Sequence, residues 1–243
     1  MLELEHLQWK LPQGEEIIRD ISLTIPAGKL VVVTGPNGGG KTSLAKLIAG
    51  LETPTAGRIL FDGEDITHTD ITGRAKRGIA YAFQQPVRFK GLTVRDMLEL
   101  AAGKALSEDA LCELLGRVGL CAAEYIDREL SASLSGGESK RIEIASVLAR
   151  KARLSIFDEP EAGIDLWSFS RLVETFQELR SQNEGTLLII SHQERILSIA
   201  DEIVVIAEGR LRAMGPREEI LPTLFANESA GMCPLDKEMK YHE

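Results

Sequence analysis

The chain has 243 residues, 44% of them hydrophobic and 27% charged, which suits one domain with a substantial core and excludes a disordered chain. With 28 Lys and Arg against 37 Asp and Glu, its net charge of −9 argues against direct, sequence-independent binding to nucleic acid. No apolar run approaches transmembrane length, and the opening Met1-Leu-Glu-Leu-Glu-His6 is acidic and alternating, unlike a secretory leader. The expectation is a cytoplasmic protein without membrane insertion of its own, meeting a membrane only through a partner.

In chain order, Leu2 to Leu7 alternates as a half-buried strand does, and Ile17 to Ile25 reads as a second strand ended by Pro26-Ala-Gly28. Leu30 to Val33 is a short, wholly apolar run, as in a strand buried on both faces. It leads into the Gly-rich Gly35–Gly40 and a helix from Lys41 to about Leu51. Arg58 to Phe61 with Asp62-Gly63 reads as strand and turn. From about Pro86 to Arg150 helical periodicity dominates, over Thr93–Ala102, Ser107–Val118 and Glu138–Arg150. Strands return at Leu154–Phe157, Thr186–Ser191 and Ile203–Ile206. Between the first two lies a helix with Leu166, Phe169, Leu172, Val173, Phe176 and Leu179 on one face. This order predicts an α/β core with a mainly parallel sheet and an inserted helical block. From Thr223 no period is evident, and 223–243 reads as a mobile tail. Cys112, Cys121 and Cys233 lack ligand or disulfide spacing and read as free thiols, Cys112 as core packing and Cys233 in the tail.

Gly35-Pro36-Asn37-Gly38-Gly39-Gly40-Lys41-Thr42 fits GxxxxGK[ST], between an apolar strand and a helix. A triphosphate needs several donors converging on closely spaced oxygens. Backbone N–H groups of a Gly-rich loop and the following helix N-terminus, with Ser43 in its first turn, supply them. Lys41 is expected to bridge the β- and γ-phosphates of ATP, and the Thr42 hydroxyl to bind Mg²⁺.

Leu134-Ser135-Gly136-Gly137-Glu138 opens a later helix. Ser135 and Glu138 fit a capping box, which does not explain two glycines in a first turn that each weaken it by about 1 kcal/mol relative to Ala. Close approach of another group to that backbone does, and a phosphate is the natural candidate. This segment resembles the signature sequence of the ABC ATPases. The resemblance covers roughly residues 1 to 222. It implies a P-loop NTPase (RecA-like) core at about 1–85 and 151–222, with an N-terminal antiparallel β part and a helical subdomain at about 86–150. It also implies a head-to-tail dimer, with itself or a related ATPase, in which Ser135, Gly136 and Gly137 touch the γ-phosphate held by the partner's phosphate loop.

Leu154-Ser-Ile-Phe-Asp158-Glu159 is an apolar strand ending in two carboxylates. By the same resemblance Asp158 is the magnesium-holding carboxylate and Glu159 the general base, a task for a carboxylate of tuned pKa. Asp165 of Ala162-Gly-Ile-Asp165 corresponds to the loop that crosses the dimer interface, and is equally suited to cap the following helix. His192 after the Ile189-Ile-Ser run resembles the switch histidine that bonds the γ-phosphate. Gln84 of Ala82-Phe-Gln-Gln-Pro86 resembles the glutamine that reaches Mg²⁺ and the attacking water. Where the family often stacks an aromatic residue on adenine, Leu11 stands here, with Trp9 two residues earlier.

Within the family, Phe83-Gln-Gln-Pro-Val87 with Gly91, Leu134 to Arg141 with Glu143-Ile144, and Leu188 to Leu197 resemble the SufC-type ATPases of iron–sulfur cluster assembly. That implies a soluble scaffold partner of the SufB/SufD type. The alternative is the ATP-binding subunit of a membrane importer, with a permease seated beside Gln84.

Overall fold

The computed structural model describes residues 1–85, 89–131, 134–183 and 185–229. Its first elements are β1 (Leu2–Lys10), β2 (Glu16–Ile25), β3 (Leu30–Thr34), α1 (Lys41–Ala49), β4 (Ala56–Phe61), β5 (Glu64–Asp65), α2 (Ile71–Lys76) and β6 (Ile79–Ala82). Four helices follow among the described residues before the next strand: α3 (Val94–Ala102), α4 (Glu108–Arg117), α5 (Ala122–Tyr125) and α6 (Gly136–Ala149). The chain then runs β7 (Leu154–Asp158), α7 (Leu166–Gln182), β8 (Thr186–Ile190), α8 (Glu194–Leu197), β9 (Glu202–Ala207), β10 (Arg210–Pro216) and α9 (Arg217–Ser229).

The ten strands among the described residues form one sheet, ordered β5-β4-β1-β2-β10-β9-β3-β8-β7-β6. From β9 to β6 neighbours are parallel, while β1, β2, β4 and β5 pair antiparallel at the other end. The parallel strands are apolar on both faces because both are covered. Leu30 and Val32 of β3, with Leu187 and Ile189 of β8, face a core shared with α3, α4, α6 and α7. Val31, Val33, Leu188 and Ile190 face α1 and the antiparallel strands. The turns after β3, β6, β7 and β8 open at one sheet edge, the carboxyl edge where open α/β sheets bind ligands.

Arg74 anchors the helix that carries the phosphate loop. Only 1% exposed, it donates to the carbonyls of Leu47 and Ile48, in the last turn of α1, and to those of Thr67 and Thr69. The Gly50 N–H also reaches the Leu47 carbonyl, at 3.2 Å, and the guanidinium completes the helix end by bonding both Leu47 and Ile48. Burial lowers its pKa to about 10, still far above neutrality, so the charge is retained.

Three expectations change. The segment from Thr223 is helical as far as Ser229, because α9 runs on through Pro222 where a break is the natural reading. Cys112 is exposed, since Leu111 and Leu115 take the buried face of α4 and the adjacent position is rotated away from it. Leu166 is exposed as well: the buried face of α7 begins at Phe169. Pro86, Val87 and Cys233 lie outside the described residues.

Candidate active site

The phosphate loop leaves β3 and ends at Gly40, the N-cap of α1. Gly35 has φ +134°, and a Cβ there would stand 2.0 Å from the Ile206 carbonyl oxygen, so only glycine fits. The Lys41 ammonium donates to the carbonyls of Gly35 at 2.8 Å and Pro36 at 2.9 Å. Burial lowers its pKa, against the nearby carboxylates of Glu159 and Asp158, which favour the charged form.

Asp158 ends β7 with its side chain fully buried. One carboxylate oxygen accepts from the Thr42 hydroxyl at 3.1 Å, the other from the Tyr81 hydroxyl at 2.9 Å. Burial raises the pKa of Asp158, and the two hydroxyl donors act in the opposite sense. Tyr81 was not among the residues picked out from the sequence, yet β6 pairs it in register beside Ile156 of β7, which brings its hydroxyl to the strand end. Burial, then the charge of Asp158, pushes its phenol well above the ordinary tyrosine range.

Glu159 has φ +47°, uncommon for a residue with a side chain, and its N–H bonds the Ile190 carbonyl at 3.0 Å. Its carboxylate accepts from the Gln84 side-chain amide at 2.7 Å. His192 follows β8, held by Ser191: the Ser191 hydroxyl donates to Glu161 at 2.6 Å and accepts from the Gln193 N–H at 3.0 Å. Burial raises the pKa of Glu161.

One cleft of about 510 Å³ gathers Asn37, Gly38, Gly39, Gly40, Lys41, Thr42, Ser43, Gln84, Glu159 and His192. Ile17 joins them, unforeseen from the sequence. Strand alternation sends Ile18 into the core and its neighbour Ile17 toward the cleft. Trp9 is not available for base stacking. It is 8% exposed and packs in the core beneath β1 and β2, opposite Ile18. Leu11 packs partly buried against the same core.

Ser135, Gly136, Gly137 and Asp165 are not among the residues lining this cleft. Ser135 accepts from the Glu138 N–H at 3.2 Å while Glu138 accepts from the Ser135 N–H at 2.7 Å, a reciprocal capping box. Hydrogen bonds from Tyr125 and Ser135 hold Glu138 at a pKa of about 2. The two glycines have different reasons. A Cβ on Gly137 would lie 2.6 Å from the Gly163 carbonyl oxygen, a contact within the chain, whereas Gly136 faces open space. Asp165 caps α7, accepting from the N–H groups of Trp167 and Ser168, both at 3.0 Å.

For a magnesium ion, the Thr42 hydroxyl, the Asp158 carboxylate and the Gln84 amide are hard ligand types with a single carboxylate. That suits an ion held mostly by water and phosphate. No cluster of three or more His, Cys, Asp or Glu capable of holding a metal occurs among the described residues.

A family model described as ABC transporter matches residues 18–162. The chain is 37% identical over 228 residues to an uncharacterised ABC transporter ATP-binding protein of Methanocaldococcus jannaschii, covering 90% of each. It is 33% identical over 220 residues to the lipopolysaccharide export ATP-binding protein LptB of Escherichia coli, covering 87% of this chain and 89% of that one. Among solved structures it superposes on cbiO1 of Clostridium perfringens, part of the cbiONQ transporter complex, with a TM-score of 0.74 at 28% identity, over 93% and 94% of the two chains. These names are those of transporter subunits, and the expected likeness to the SufC type is not shown by them. The chain belongs to the ABC transporter family of ATP-binding subunits, and it is an ATPase of the P-loop fold.

Proposed function

We propose that this chain is the ATP-hydrolysing subunit of a membrane transporter, acting from the cytoplasmic side as an ATP-dependent dimer. The observation that carries the chemistry is the single cleft holding Lys41, Thr42, Gln84, Glu159 and His192 beside Asp158. Lys41 leaves the loop carbonyls for the β- and γ-phosphates of ATP. Glu159, already bonded to Gln84, orients and deprotonates the attacking water, and His192 donates to the γ-phosphate. Thr42, Asp158 and Gln84 would hold a magnesium ion, which would supply neutralisation of the phosphate charge. Ile17, on the cleft wall, is the apolar surface we assign to the adenine ring. Ser135 and Gly136 serve the partner's nucleotide across the dimer, the open face of Gly136 leaving room for a phosphate. Asp165 combines its cap with a place at that interface.

A groove of about 180 Å³ is lined by Ile71, Ala75, Tyr81, Phe83, Ala101 and Arg150, among others. It adjoins Gln84 through Phe83, and it is the seat we assign to the permease. No helix among the described residues is long and apolar enough to cross a membrane. The names of the relatives support this reading over the SufB/SufD scaffold, which rests on the wording of segments 83–87, 134–141 and 188–197.

The test is a native pull-down of the tagged chain from soluble and detergent-solubilised membrane fractions, with partners identified by mass spectrometry. A multi-span membrane protein is the expected partner. A soluble SufB/SufD-type scaffold instead would overturn the transporter reading and leave the ATPase in place.

A further inference from the structure

Lys140 on α6 is 1% exposed. Burying an ammonium is costly unless its donors are satisfied, and here they meet backbone carbonyls of two separate segments. It donates to Phe83, to Gln84 at 3.2 Å and to Asp158 at 3.1 Å. One turn further along the helix, Glu143 accepts from the Phe83 N–H at 2.9 Å. The backbone that delivers Gln84 is therefore gripped from both sides by α6.

The Asp158 carbonyl belongs to the peptide that leads into Glu159. Its other end, the Glu159 N–H, is bonded to Ile190. Glu159 sits at φ +47°, a conformation uncommon for a residue with a side chain, which persists only where surroundings enforce it. Lys140 contributes to that enforcement, beside the Ile190 bond and the Ala162 N–H that reaches the Glu159 carbonyl at 3.1 Å, and at the same time fixes the segment carrying Gln84, whose amide meets the Glu159 carboxylate at 2.7 Å.

We propose that Lys140 is a positioning residue for ATP hydrolysis: by tying the Phe83–Gln84 backbone to the Asp158–Glu159 peptide, it holds the Gln84 amide and the Glu159 carboxylate in register. Its effect rests on the reading of Glu159 as the base. The helix that bears Lys140 begins at Ser135 and Gly136, so the same clamp links the helix N-terminus assigned to the partner's nucleotide with the base of this chain's own site.

Lys140→Met keeps the length of the side chain and removes the donors. We expect kcat to fall about 30-fold while the dissociation constant for ATP, set at the phosphate loop, stays within about twofold; the loss corresponds to about 2 kcal/mol of barrier. Because Lys140 acts through the Gln84–Glu159 pair, adding Lys140→Met to Gln84→Ala should slow turnover by no more than about threefold beyond the slower single variant. A role confined to stability would lower ATP binding together with turnover and would add to Gln84→Ala in full. Wild-type turnover, parallel loss of binding and turnover, or full additivity each overturns the proposal. If Lys140→Met does not fold, Lys140→Arg, which keeps the charge and displaces the donors, is judged by the same criteria. Glu159→Gln is assayed in parallel. Normal turnover in that variant removes the base assignment and this proposal with it, whereas slow Glu159→Gln beside normal Lys140→Met overturns this proposal alone.

Discussion

Glu143 is a carboxylate on a helix face turned wholly inward, 6% exposed, with one oxygen on the Phe83 N–H and the other buried without a partner. Desolvation raises its pKa from an ordinary 4.5 to about 7, partly opposed by the Phe83 bond and the charge of Lys140. The folded state thus binds this proton more tightly than the unfolded chain does. Its contribution to stability is fully present below about pH 4.5 and lost as pH rises to about 7, on the order of 3 kcal/mol for a shift of this size. Asp158 and Glu161, also raised by burial, act with the same sign, so the comparison must isolate one group. Glu143→Gln keeps an acceptor for Phe83 and removes the titration. Its urea-unfolding free energy should fall less steeply than wild type's between pH 5 and 7. Equal slopes would show that Glu143 does not carry the dependence.

At the scale of elements, the site depends on helix ends and strand edges. Helix α1 holds the phosphate loop at its start and Arg74 at its finish. Arg74→Leu removes the guanidinium donors to the Ile48, Thr67 and Thr69 carbonyls while Leu47 keeps the Gly50 N–H, and at about 1–3 kcal/mol for each orphaned group before relaxation a loss of about 3 kcal/mol in urea unfolding is expected. A loss under about 1 kcal/mol would mean that water reaches those carbonyls. The sequence made this layer readable where a pattern had one meaning. Wholly apolar runs such as Leu30 to Val33 are strands buried on both faces, and the glycines of the phosphate loop imply a backbone that touches phosphate. It was unreadable where a pattern had two. Ile17 and Ile18 are alike in composition, and only strand pairing sends one to the cleft and one to the core. Trp9 had the right chemistry for stacking and the wrong face. Gly137 looked like a mark of ligand approach, yet its contact is with Gly163, far along the chain. Tyr81 and Lys140 carry no local signal, because their partners are brought to them by the sheet and by α6.

At the scale of the molecule, the cleft and the signature segment are separated within one chain, and that separation sets the quaternary prediction. Ser135 and Gly136 stand at the start of α6 away from the cleft residues, with Gly136 open and Leu166 and Trp167 exposed at 66% and 83% beside Asp165. A second copy, turned head to tail, would bring these features over its partner's nucleotide and add a helix N-terminus to the γ-phosphate. On the proposed reading ATP supplies the bridge, since its γ-phosphate lies between one copy's Lys41 and the other's helix N-terminus. On the same reading, hydrolysis would remove that bridge and release the pair. Slowing hydrolysis should therefore accumulate the dimer. Glu159→Gln removes the carboxylate charge and the base while retaining an amide of the same shape beside Gln84. We expect turnover to fall at least 100-fold and the variant to elute as a dimer in size-exclusion chromatography with ATP and as a monomer with ADP. Trp167→Ala in that background should weaken the dimer without altering ATP affinity in the monomer. A Glu159→Gln variant that binds ATP and stays monomeric at tens of micromolar would show that nucleotide alone does not join the two copies, leaving the partner protein to bring them together.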